Sequence, residues 1–125
     1  MAGYKNRTVT LEFPELAEDG DKIYVALRNP RMVPVTALRT RQVARDANGE
    51  ALDPDDEQTA VFEVYAGLIT DWHVYDATSI DENQPPLTLP ATAELVGKLP
   101  LEIQERISEE VNARRNPTTT PTTGS

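Results

Sequence analysis

DEQTAVFEVYAGLITDWHVYD, from Asp56 to Asp76, is the stretch on which the reading of the chain turns. Its apolar residues are Val61, Val64, Tyr65, Leu68, Ile69 and Trp72. They are spaced by steps of three and one, which places them on one face of an α-helix. Glu63, Thr70 and Asp71 fall on the opposite face. The stretch also holds the only Trp of the chain. Just upstream, Asp53 suits an N-cap and Pro54 the first helical position. Asp56 and Glu57 complement the positive helix end. The pattern predicts a central core helix over 54–72.

Working outward, the upstream chain is of a different kind. Val9, Leu11 and Phe13 alternate with Thr8, Thr10 and Glu12, the pattern of a half-buried strand. Ile23, Val25 and Leu27 repeat it, and Asp19-Gly20 is a turn signal between the two runs. A hairpin over 7–28 follows, after a mobile N-terminus at 1–6. Pro34 opens a short predicted helix at 34–45, with Val35, Leu38, Gln42 and Val43 turned inward. Downstream, a polar loop leads into helices at about 89–98 and 100–115. The second carries Ile103, Ile107 and Val111 as a stripe four residues apart. The end, NPTTTPTTGS over 116–125, has no hydrophobic residue and reads as a disordered Thr/Pro tail. The expected fold class is α+β: one small, mainly α-helical domain over 7–115, with about four helices and an N-terminal β-hairpin.

Composition narrows the function classes. The formal net charge is −9, so nucleic acid and anionic membrane surfaces are not expected partners. There is no cysteine, which removes disulfides and thiolate chemistry. No run has signal-peptide or membrane-spanning character, so a soluble protein is expected. His73 is the only histidine, with no nucleophile motif near it. Asp46, Asn48, Glu50 and Glu57 fall at spacings like those of a calcium loop, but Ala51 stands where glycine is needed and Pro54 at another ligand position. No glycine-rich phosphate loop is present. Neither catalytic, cofactor-binding nor metal-binding residues are expected, and the chain reads as no enzyme. One charge feature stands apart: residues 28–45 contain Arg28, Arg31, Arg39, Arg41 and Arg45 and no acid. Such a band suits directional contacts to an acidic protein partner.

Several motifs in order resemble a known family. Leu68 to Asp76 resembles a helix that ends in W-x-V-x-D in tail assembly chaperones of long-tailed bacteriophages, of the type found in siphophages of actinobacteria. Pro86 to Glu94 resembles the PLP-x-T-x-E element that follows it, with two residues inserted between Leu87 and Pro90. Leu99-Pro100-Leu101-Glu102-Ile103 resembles the start of the family's last helix, and Arg28-Asn29-Pro30 its post-strand turn. The likeness spans about residues 22 to 111.

The resemblance implies a non-enzymatic protein that binds the tape-measure protein and keeps it soluble while the tail tube assembles. The tail tube protein is a further candidate partner, and a homo-oligomer is left open. It also implies action in the host cell cytoplasm and absence from the mature virion. An amphipathic partner helix would lie between the central and last helices. Arg28, Arg31, Arg39, Arg41, Arg45, Tyr65, Leu68 and Trp72 are the partner-binding residues that this reading selects, with Val64, Tyr65, Leu68 and Trp72 also serving as core. The alternatives are a virion structural protein (tail terminator, head–tail connector or capsid decoration) and a small acidic phage-borne inhibitor.

Overall fold

Three antiparallel strands form the platform of the domain. In the computed structural model, which describes the backbone of residues 3–115 and the side chains of residues 3–112, they are β1 (Thr8–Glu12), β2 (Tyr24–Arg28) and β3 (Ile69–His73), ordered β1-β2-β3. The three α-helices are α1 (Pro54–Leu68), α2 (Ala93–Val96) and α3 (Leu101–Arg115). The tail at 116–125 and the first two residues lie outside the described residues.

Alternation sets the sheet. β1 pairs with β2 in the register Thr8↔Arg28 to Glu12↔Tyr24. This puts Val9, Leu11, Val25 and Leu27 on one face and Thr8, Thr10, Glu12 and Arg28 on the other. Val25 and Leu27 are fully buried. The apolar face joins Leu68, Trp72, Ile103, Ile107 and Val111 in one core. Burying each such side chain contributes roughly 1.5–3 kcal/mol.

The architecture corrects the expectation of about four helices with a hairpin. The sheet has three strands, and residues 34–45 form no α-helix. Val35–Leu38 makes one tight 3-10 turn, after which the chain runs without regular secondary structure to the isolated bridge at Arg45. In this segment Leu38 alone is buried, while Val35 and Gln42 are exposed. With one anchoring side chain instead of a stripe, a short helix has too little tertiary packing to persist. The helix expected at about 89–98 shrinks to Ala93–Val96, capped by the Thr92 hydroxyl on the Leu95 N–H at 3.2 Å.

The largest correction falls in the deciding stretch. The expected helix over 54–72 ends at Leu68, and Ile69–His73 turns into β3. Residues 69–75 are rich in β-branched and aromatic side chains, which suit a strand. β2 has a second edge to satisfy, and β3 supplies the partner groups. Trp72 pairs with Val25 and Ile69 with Leu27, while Thr70 is the extra residue of a bulge. The Thr70 hydroxyl donates to the Ala26 carbonyl at 3.3 Å. The bulge shifts the phase so that both Ile69 and Trp72 reach the core, where a helix would also have placed them.

The start of α1 is as the sequence reads. The Asp53 carboxylate accepts from the Asp55 N–H at 3.0 Å, and Pro54 occupies the first turn. Asp53→Ala should lower the unfolding free energy by about 1 kcal/mol, measured by urea titration. A loss below a few tenths would show the cap to be redundant.

Candidate functional site

The longest helices, α1 and α3, do not close over one another along their outer sides. Together with the irregular segment 40–45 they border an open groove of roughly 610 Å³. Val43, Val61, Phe62, Tyr65 and Leu101 supply its apolar lining. Tyr65 is buried in the floor, Val61 and Phe62 are half-buried, and Leu101 is 67% exposed on the rim. The Phe62 and Tyr65 rings lie 6.2 Å apart at a tilted angle. Val61 and Phe62 flank the buried part of α1, with Tyr65 in the core beneath them. A stripe wider than the core needs produces such a groove.

Arginines hold one wall in place. The Arg41 guanidinium forks between Asp56, at 2.7 Å, and Glu63, at 2.9 Å, both on α1. Arg45 reaches Glu57 at 2.8 Å and the Gly49 carbonyl at 3.1 Å. Asp56 is held below the usual carboxylate range by its hydrogen bonds from Arg41. The same bonds keep Arg41 charged. These exposed pairs position the 39–45 segment more than they stabilise the fold. With both arginines engaged by acids, Asp55 and Glu105 leave the groove rim acidic.

The eight residues selected from sequence therefore separate. Arg41, Arg45 and Tyr65 meet at the groove. Leu68 is 1% and Trp72 5% exposed, so both belong to the core. Arg28 ends β2, Arg31 lies in the 3-10 turn Pro30–Met32 and Arg39 follows the next turn. All three are exposed and form no ion pair among the described residues. The band of five arginines is not one surface.

The acids near residue 46 have a local role. Asp46 Oδ1 accepts from the Asn48 and Glu50 N–H groups at 2.8 and 3.0 Å. It thereby closes a turn whose Gly49 sits at φ 85°, a left-handed conformation suited to glycine. Among the described residues, no group of three or more His, Asp or Glu side chains is arranged to hold a metal ion.

A second cluster escaped the sequence reading. His73 Nε2 lies 2.9 Å from Asp21 Oδ1, and the Tyr75 hydroxyl donates to Asp21 Oδ2 at 2.7 Å. The His73 and Tyr75 rings meet edge to face at 5.4 Å. The i, i+2 spacing of His73 and Tyr75 was the available signal, since it puts both on one side of an extended chain. Asp21 comes from about fifty residues away and gave none. The cluster joins the β1–β2 connection to the exit of β3. Hydrogen bonding, first from Tyr75, lowers the Asp21 pKa from 3.8 and raises that of Tyr75 above 10.0. A depressed carboxylate stabilises the fold above its unfolded pKa and loses that contribution as pH falls through the folded value. Tyr75→Phe should move the Asp21 pKa up toward 3.8, read by carboxylate NMR titration. An unmoved titration would show the hydroxyl to be a bystander.

Comparison with known proteins adds no relative: no family model, curated protein or solved structure matches the chain. Among the described residues, no helix is long and apolar enough to cross a membrane.

Proposed function

We propose that this chain is a non-enzymatic tail assembly chaperone of a long-tailed phage, and that the groove between α1 and α3 receives a helical segment of the tape-measure protein. The order of the W-x-V-x-D, Pro-Leu and Leu-Pro motifs supports the family. The observation that carries the binding mode is the open apolar lining of Val61, Phe62, Tyr65 and Leu101 beneath a charged rim. An amphipathic helix buries its apolar face in such a groove, and the acidic rim favours basic residues on the helix flanks. Arg28, Arg31 and Arg39 remain for polar contacts beyond it. Action takes place in the host cytoplasm, before the virion matures.

Co-expression with the candidate tape-measure protein tests the reading. Wild type should move that protein from the insoluble to the soluble fraction. Leu101→Glu, at an exposed rim position, should abolish the effect with an unchanged circular dichroism spectrum. Ile80→Ser, fully exposed and outside the groove, should retain it. A wild-type chain that yields no gain in solubility would sink the proposal, and so would abundant copies of the chain in purified virions.

A further inference from the structure

The outer edge of the sheet is open. The Arg7 carbonyl accepts from the Asn29 N–H at 2.7 Å, and the Phe13 N–H donates to the Ile23 carbonyl at 2.9 Å. Odd-numbered residues of β1 therefore direct their backbone groups toward β2. In an antiparallel ladder the alternate residues point theirs the other way. Thr8, Thr10 and Glu12 thus present N–H and C=O groups outward, and all three are exposed. No described segment pairs with them. β1 reads Thr-Val-Thr-Leu-Glu, with no proline, lysine or bulge to block pairing, and Glu12 is its one charged side chain.

We infer that β1 is a self-association edge, which pairs antiparallel with β1 of a second copy of this chain about a two-fold axis at Thr10. The argument rests on self-complementarity, as a two-fold interface requires. With Thr10 opposite its own counterpart, Thr8 faces Glu12 of the other copy, and all outward groups fall in hydrogen-bonded pairs. On the core face Val9 meets Leu11 of the other copy. Val9 is only half-buried in a single chain and gains cover. On the outer face, Arg28 pairs with Thr8 within one copy. Glu12 of the second copy then stands two strands from Arg28, about 10 Å between Cα atoms and within reach of two extended side chains. Neither Glu12 nor Arg28 has an ionic partner among the described residues, so the dimer would join two otherwise unmatched charges twice over. An extended segment of unrelated sequence would meet the same backbone groups without this charge match. The pairing is independent of the groove and of the function proposed for it.

Sedimentation velocity on the full chain tests the interface over roughly 1–500 µM, since one short strand forms a small contact of modest affinity. A concentration-dependent species of twice the 13.8 kDa chain mass is expected. Thr10→Pro removes the central outward N–H and leaves the β1–β2 ladder intact, so it should raise the dimer Kd at least tenfold with unchanged circular dichroism. Glu12→Arg, a surface change that spares the backbone, should also weaken the dimer, and Glu12→Arg with Arg28→Glu should restore it. Hydrogen exchange should show the Thr8, Thr10 and Glu12 amides protected in the dimer and open in the monomer. A wild-type chain that stays monomeric throughout the range overturns the inference. So does a dimer indifferent to both Thr10→Pro and Glu12→Arg. Protection in the monomer that vanishes on deleting 116–125 would also overturn it, and would assign the edge to the chain's own end.

Discussion

Trp72→Ala should lower the unfolding free energy by about 3–5 kcal/mol, the range for removing a large aromatic side chain from a packed interior. Trp72 is 5% exposed and pairs with Val25 at the centre of the sheet, so its removal opens a cavity between the sheet and the helices. Urea unfolding followed by far-UV circular dichroism reads the loss, since the variant has no other Trp to report fluorescence. A loss under about 1 kcal/mol would mean that the indole is not part of the core. Trp72→Phe sharpens the test. The indole Nε1 is buried without a hydrogen-bond partner among the described residues. An orphaned buried donor costs about 1–3 kcal/mol. Phenylalanine loses some volume and removes that cost, so this variant should fall well short of the alanine variant. Equal losses would show that the indole donor is satisfied in solution.

Ile107→Ala should cost about 2–5 kcal/mol by the same assay. Ile107 is fully buried at the middle of the α3 stripe, between Ile103 and Val111. Apart from the exposed Leu101 and from Ala113, the rest of α3 is polar, and these three buried side chains anchor it. It also forms one wall of the groove, so under the proposed function loosening it should reduce tape-measure binding together with stability. Leu101→Glu, on the exposed rim of the same helix, should reduce binding alone. If Ile107→Ala left stability unchanged, α3 would not be anchored by its stripe.

These two sites also show how unevenly the sequence could be read. Ile103, Ile107 and Val111 are spaced four apart, and they are buried as that spacing says. The Asp53–Pro54 start of α1 is equally local, because a cap needs only its own N–H groups. Trp72 is different. Its step of three from Ile69 fits a helix, yet it reaches the core from a strand with a bulge at Thr70. Periodicity over so few residues does not separate those two geometries. The segment 34–45 failed in the opposite way. Its apolar residues hinted at a helix, but of them only Leu38 reaches the core.

At the groove, sequence named Arg41, Arg45 and Tyr65 but could not say which surfaces they share. Arg41 meets Glu63 and Arg45 meets Glu57 only because the 39–45 segment crosses α1. The Asp21–His73–Tyr75 cluster depends in the same way on contacts between residues far apart in the chain.

What depends on near neighbours could be read directly from the residues: the two alternating strands, the capped start of α1, the α3 stripe and the acidic, cysteine-free character of the chain. Only the tertiary contacts fix where α1 stops, that its exit becomes a third strand, and which of the described arginines pair with acids. The physical reason is hydrogen-bond demand across the fold. The unpaired edge of β2 takes residues 69–73 out of the helix to satisfy its backbone groups; the β-branched and aromatic run at 69–75 permits a strand, but the apolar spacing there fits a helix equally well.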